Sequence, residues 1–286
     1  MKFFVGIDGT SANVKELSNL LKNRPVILSA ASIWRGRWRP GATWMKTYIP
    51  DHVSEIWFDS GGYTFFSKWS YYPFSGQQYI EKAEAIGADY VSTLDYPCEP
   101  GIHSESNLDR IDRTVRNARE ETRIRTPFQW VPVIQGFSLS EYGYCIETYG
   151  SLLDRVNYVA IGSMCHRRKR SEISELVRYL KRELSNHHLH GFGVDRRSLT
   201  VESVYNSLYS ADSQAWRFDI PDKSQGHLFA TRKEASVALS RYLEKIDSLH
   251  TGPLDSLLGA ELRLPTPPIK GSRPGKNPPN GGETGK

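Results

Sequence analysis

Apolar runs that stop at a polar residue or a glycine recur along this chain, with stretches of helical periodicity between them. Val53–Phe58 ends at Asp59, Ala88–Leu94 at Asp95, Trp130–Ile134 at Gln135-Gly136, and Tyr158–Ile161 at Gly162. The intervening stretches, Ser75 to Ile86, Glu105 to Arg125, Leu139 to Leu153 and Ser171 to Leu184, repeat their apolar residues at helical spacing. Pro25 to Ala30, His188 to Val194 and a short run before Asp212 bring the strands to about seven, and Phe3 to Ile7 offers an eighth. Repeated strand-then-helix units with buried strands imply a parallel sheet, and eight such units closing on themselves make a barrel. The expected fold is therefore α/β, a single (β/α)8 TIM-type barrel. A doubly wound open sheet is the competitor that periodicity leaves open.

Composition fits a barrel with a tail. The 286 residues, 38% hydrophobic with 7 Trp, 15 Tyr and 11 Phe, suffice for its core. From about Leu264 onward the chain is rich in Pro, Gly and Lys and has almost nothing to bury, which predicts a barrel over 1–263 and a disordered tail over 264–286. There is no apolar run of membrane-spanning length and no signal-peptide pattern, so the expectation is a soluble, cytoplasmic protein. Cys98, Cys145 and Cys165 are odd in number and far apart, which argues against a disulfide framework or a structural zinc site. Free, buried or partly buried thiols are expected. His187, His188 and His190 crowd together but enter a strand on alternating faces without carboxylates at ligand spacing, so no metal and no cofactor are expected.

The charge of +5 is unevenly placed. Arg35, Arg37 and Arg39, interleaved with Trp34 and Trp38, follow the Pro25 to Ala30 strand; Arg167, Arg168 and Arg170 follow the Tyr158 strand. Both groups fall on loops at the barrel's C-terminal face, and arginines beside tryptophans supply phosphate contacts and stacking surface together, the needs of a nucleic-acid groove. Arg110, Arg113, Arg116 and Arg119, on a helix, read instead as a solvated face.

Asp59 is followed at once by Ser60, Gly61 and Gly62, a strand-end carboxylate on a turn whose backbone can come close to a flat ligand. Phe58-Asp59-Ser60-Gly61-Gly62-Tyr63 resembles the Asp-Ser-Gly-Gly-Phe signature of the tRNA-guanine transglycosylases. Thr93–Pro97, Val133–Gly136, Ala160–Ser163 and Gly191–Val194 are similar to that family's later motifs in the same order. Asp212, in Ser210–Trp216, falls where the family's nucleophile is expected. Taken singly, Asp95 reads as a turn former, Gln135 as a strand-end residue and Asp212 as a helix cap; the order of the motifs is what favours the functional roles. The match spans about residues 25 to 217. The family's cysteine-rich zinc subdomain has no counterpart here, and the short, zinc-free chain looks more like the DpdA-like 7-deazaguanine DNA transglycosylases of phages and bacterial modification clusters.

That resemblance implies base exchange: guanine in DNA replaced by a free 7-deazaguanine base, the co-substrate, with retention at C1′. Retention calls for a carboxylate nucleophile and a second acid/base carboxylate. The resemblance assigns these to Asp212 and Asp59. It implies base reading by Asp95, Gln135 and the Gly162 backbone, stacking by Tyr63, and a close backbone approach at Ser60 and Gly61. The alternatives are the same chemistry on tRNA and a non-catalytic nucleic-acid-binding barrel.

Overall fold

The computed structural model describes residues 1–9, 17–35, 43–165, 167, 169–219 and 232–250. The tail over 264–286 and its boundary lie outside the described residues. Eleven strands are present among the described residues: β1 Lys2–Ile7, β2 Pro25–Ser29, β3 Trp34–Arg35, β4 Thr43–Trp44, β5 Glu55–Asp59, β6 Tyr90–Ser92, β7 Gln129–Val131, β8 Val133–Ile134, β9 Tyr158–Ile161, β10 His188–Gly191 and β11 Ser210–Ser213.

Nine of them form one sheet in the order β7-β6-β5-β2-β1-β11-β10-β9-β8, with every pairing parallel. The two end segments, β7 and β8, are halves of a single run divided at Pro132. Proline has no N–H to give to a ladder, but its carbonyl accepts from Ala160 N at 2.9 Å. The half before it pairs with β6 and the half after it with β9, so the run joins the sheet's two edges. The fold is the expected TIM-type α/β barrel of eight staves, and Lys2–Ile7 is the eighth.

Two hydrophobic layers follow from this closure. Phe4, Ile27, Trp57, Val131, Val133, Tyr158 and Ala160 fill the inside, with Phe192 and Tyr90 packed on them. The outer strand faces and the helices make the larger layer, which includes Val26, Leu28, Phe58, Val159, Ile161, Leu176 and Leu180. A single strand thus buries both its faces, Ile27 inward and Val26 and Leu28 outward, the mark of a parallel barrel. Helices lie where periodicity places them, the first three shorter than their apolar patterns and the fourth shifted by one residue: Gly76–Ala85, Asn107–Glu121, Leu139–Tyr149 and Arg170–Glu183. Ser75 and Ser138 start two of them with full capping boxes, and a 3-10 turn over Gly150–Arg155 takes up the end of the third stretch.

The Asn107–Glu121 helix corrects one expectation. Arg110 is 1% exposed: its Nε donates to the Pro97 carbonyl at 2.7 Å, and its guanidinium lies 4.6 Å from the Phe66 ring. Arg113 covers Tyr96 at 3.9 Å, while Arg116 and Arg119 are exposed as expected. The helix therefore pins the loop after β6 instead of presenting one charged face to water. Among the described residues no helix is long and apolar enough to cross a membrane.

Candidate active site

The C-terminal ends of the barrel strands enclose a cavity of about 230 Å³. Asp59, Ser60, Gly61, Tyr63, Asp95, Gln135, Gly162 and Asp212, expected from sequence to act together, all line it. Its floor is the top of the inner layer, Ile27 and Phe192.

The β5 corner is built by the glycines. Gly61 has φ +72°, and a Cβ there would lie 2.7 Å from Ala31 N. At Gly62 a Cβ would meet the Tyr72 hydroxyl at 2.8 Å and the Asp95 carbonyl at 3.1 Å. Together they let the turn close on the loop after β6. Asp59 Oδ2 accepts from Gly61 N at 3.0 Å, and Ser60 Oγ donates to Asp95 Oδ1 at 2.5 Å. Tyr72 donates to the Asp95 carbonyl at 2.6 Å. Burial pushes the Asp59 carboxyl up to about 7, with the charges of Asp95 and Asp212 adding and the Gly61 N–H and Ser29 hydroxyl opposing. Burial raises Asp95 as well, against the hydrogen bonds from Ser60 and Gln135.

Gln135 joins this network. Its Nε2 donates to Asp95 Oδ2, and its Oε1 accepts from Ser163 Oγ at 2.5 Å. A Cβ at Gly162 would fall 2.2 Å from Gln135 Nε2. The space left by the missing Gly162 side chain is thus held by the Gln135 amide, a use of that glycine the sequence does not reveal.

The β11 corner differs. Asp212 Oδ1 accepts from Gly193 N at 3.0 Å and is 3.2 Å from His190 Nε2. His190 is fully buried, stacked on Trp57 with centroids 4.2 Å apart, and its Nδ1 is 2.7 Å from Ser210 Oγ. Burial lowers its pKa, with Asp212 opposing. A neutral ring that donates from Nε2 to Asp212 must accept at Nδ1 from Ser210, which itself meets the Tyr158 hydroxyl. Sequence reasoning set the three histidines aside as non-ligands and missed this orienting role; the signal was a polar side chain on the inward-facing register of β10. Among the described residues no group of three or more His, Cys, Asp or Glu is placed to hold a metal ion.

Sequence reasoning also missed Glu99. It is 1% exposed, lines the cavity, and lies four residues after Asp95 in the loop that Arg110 pins.

The basic residues divide. Arg35 and Arg170 are exposed. Arg167 is half-buried, donating from Nη2 to the Phe137 carbonyl at 2.5 Å with its guanidinium 4.7 Å from that ring, so it is largely committed within the protein. Arg37, Arg39 and Arg168 lie outside the described residues. Trp34 is buried edge-on to Trp44 at 4.9 Å and is no free stacking surface; Trp38 lies outside the described residues. A second cavity, of about 370 Å³ and lined by Arg167, Arg170 and Arg197, shares Cys165 and Gly193 with the first. Cys98 and Cys145 are buried as expected, whereas Cys165 is exposed.

Three carboxylates, a glutamine and a glycine gathered at the C-terminal ends of five barrel strands suit glycosyl transfer to and from a flat, polar-edged base. No match to the chain is found among curated proteins. Residues 29–249 match the family described as DeoxyPurine in DNA protein A, so the strand-end motifs sit within the matched region, and the chain belongs to the DpdA family.

Proposed function

We propose that this protein exchanges guanine in DNA for a free 7-deazaguanine base through a covalent aspartyl-nucleotide intermediate. Asp212 attacks C1′ as guanine leaves, and the incoming base then displaces Asp212 with net retention. Asp59 protonates the departing base and afterwards takes the proton from its replacement. The Asp95–Gln135 pair lies along the base, Tyr63 and Phe192 offer aromatic surface to it, and the basic second cavity continues toward the DNA backbone.

The observation that carries this reading is the Asp59 carboxyl, pushed to about 7 in a cavity it shares with Asp212. A carboxylic acid that still holds its proton near neutrality is what a departing purine requires, and a second carboxylate in reach is what retention requires. Family membership supports DNA as the polymer and transglycosylation as the reaction class. Expression in a host that makes 7-deazaguanines, followed by mass spectrometry of its nucleosides, tests the whole. The expected outcome is a 7-deazaguanine deoxynucleoside in DNA that is absent without the protein. A modified ribonucleoside in tRNA with unmodified DNA would reassign the polymer, and unchanged nucleosides in both would remove the reading.

A further inference from the structure

The residues expected to read the base are already occupied. Asp95 Oδ1 takes the Ser60 hydroxyl, with the Tyr72 hydroxyl at 3.4 Å, and Oδ2 takes the Gln135 amide. The Gln135 carbonyl takes the Ser163 hydroxyl. Glu99 Oε2, by contrast, is buried with no hydrogen-bond partner, and it is the one such side-chain oxygen or nitrogen among the described residues that line the cavity. Leaving a buried acceptor unpaired is unfavourable, so a site that keeps one is built for a donor that arrives with a ligand.

The loop carrying Glu99 is firmly held. Tyr96 N donates to Thr114 Oγ1 at 2.9 Å, the Pro97 carbonyl accepts from Arg110, and Cys98 N donates to Ser163 Oγ at 2.8 Å. Three consecutive anchors fix the backbone before Glu99, the support a reading residue needs. The nearby cation, Arg167, gives its Nη2 to the Phe137 carbonyl; its Nε is buried without a partner and its charge is felt by Glu99, but no ion pair joins the two among the described residues. Burial pushes the Glu99 carboxyl up to about 7, with the Ser163 hydrogen bond and the Arg167 charge opposing and the Asp95 charge adding.

We infer that Glu99 is a base-reading residue whose Oε2 receives the N–H donors of the purine's 2-amino edge, alongside the Asp95–Gln135 pair. This rests on the base-exchange reading above and adds to it the residue that separates 2-aminopurinones from purinones lacking the amine. A pocket built to pair such donors discriminates strongly against the analogue without them.

Binding of free purines to the full chain, followed by quenching of tryptophan fluorescence, tests the assignment without requiring turnover. Wild type is expected to bind guanine more tightly than hypoxanthine. Glu99→Gln, nearly isosteric, should narrow that ratio by about tenfold or more, and Glu99→Asp, which keeps the carboxylate, should retain a preference for guanine. An unchanged ratio in a folded Glu99→Gln protein overturns the inference while leaving base exchange intact. So does a variant that keeps its guanine preference and loses discrimination only between 7-aminomethyl-7-deazaguanine and unsubstituted 7-deazaguanine, because Glu99 would then face the substituent. Should wild type bind neither purine, the base-exchange reading falls and this assignment with it.

Discussion

Asp59 at the end of β5 and Asp212 in β11 line one cavity, yet their surroundings have little in common. Asp59 sits among like charge, with Asp95 and Asp212 near it, and burial lifts its carboxyl to about 7. Asp212 is met by donors, the Gly193 N–H and the ring of His190, which the inner layer holds through Trp57. The β5 side is also the dense side, where Ser60, Tyr72, Gln135 and Ser163 tie the network together. The β11 side opens through Cys165 and Gly193 into the cavity lined by arginines. One residue type thus receives two environments, one suited to holding a proton and the other to presenting an oriented carboxylate. On the base-exchange reading proposed above, the base would lie on the first side and the sugar-phosphate on the second.

The largest effect should come from the β11 corner. Asp212→Asn removes charge with almost no volume, and we expect exchange of a labelled base into DNA to fall at least about a thousandfold while DNA binding changes little. On the proposed mechanism wild type forms a covalent adduct that intact-protein mass spectrometry should detect, and this variant should form none. An adduct that persists in this variant would erase the contrast between the two corners.

At the β5 corner the effect is smaller and has a pH signature. Asp59→Asn should slow guanine release by about a hundred- to ten-thousandfold. If Asp59 donates from its protonated form, single-turnover release in wild type should be fastest below about pH 7 and decline as pH rises through that value. The variant should lack this decline. A wild-type rate that instead rises through pH 7 would mean that Asp59 enters as a base, acting after base loss.

The smallest effect sharpens the comparison at the rim. If the backbone runs on the Asp212 side, Arg170→Ala should lower the log-log salt slope of DNA binding by about 0.9, one phosphate's worth. Arg35→Ala, on the strand that follows the β2 side, is the comparison. A drop at Arg35 with none at Arg170 would move the DNA to the hairpin formed by β3 and β4.

The barrel, the strand-end placement of Asp59, Asp95, Gln135 and Gly162, and the family were all legible in the chain itself. Strand and helix periodicities and glycine turns are local signals, and the order of motifs survives in one dimension. What only the tertiary structure decided depends on contacts between residues distant in sequence. Arg110 reads as solvated because helical spacing cannot show that Phe66 and the Pro97 carbonyl meet it. Gly162 reads as open space for a ligand, although Gln135, 27 positions earlier, occupies it. His190 becomes the partner of Asp212, 22 residues away, only because closure sets β10 beside β11. Glu99 has no distinguishing pattern at all: a carboxylate in a loop is ordinary until folding removes it from water and leaves one oxygen without a partner. Burial and pairing are properties of the assembled chain, and they determine which of the carboxylates named in the sequence are able to do chemistry.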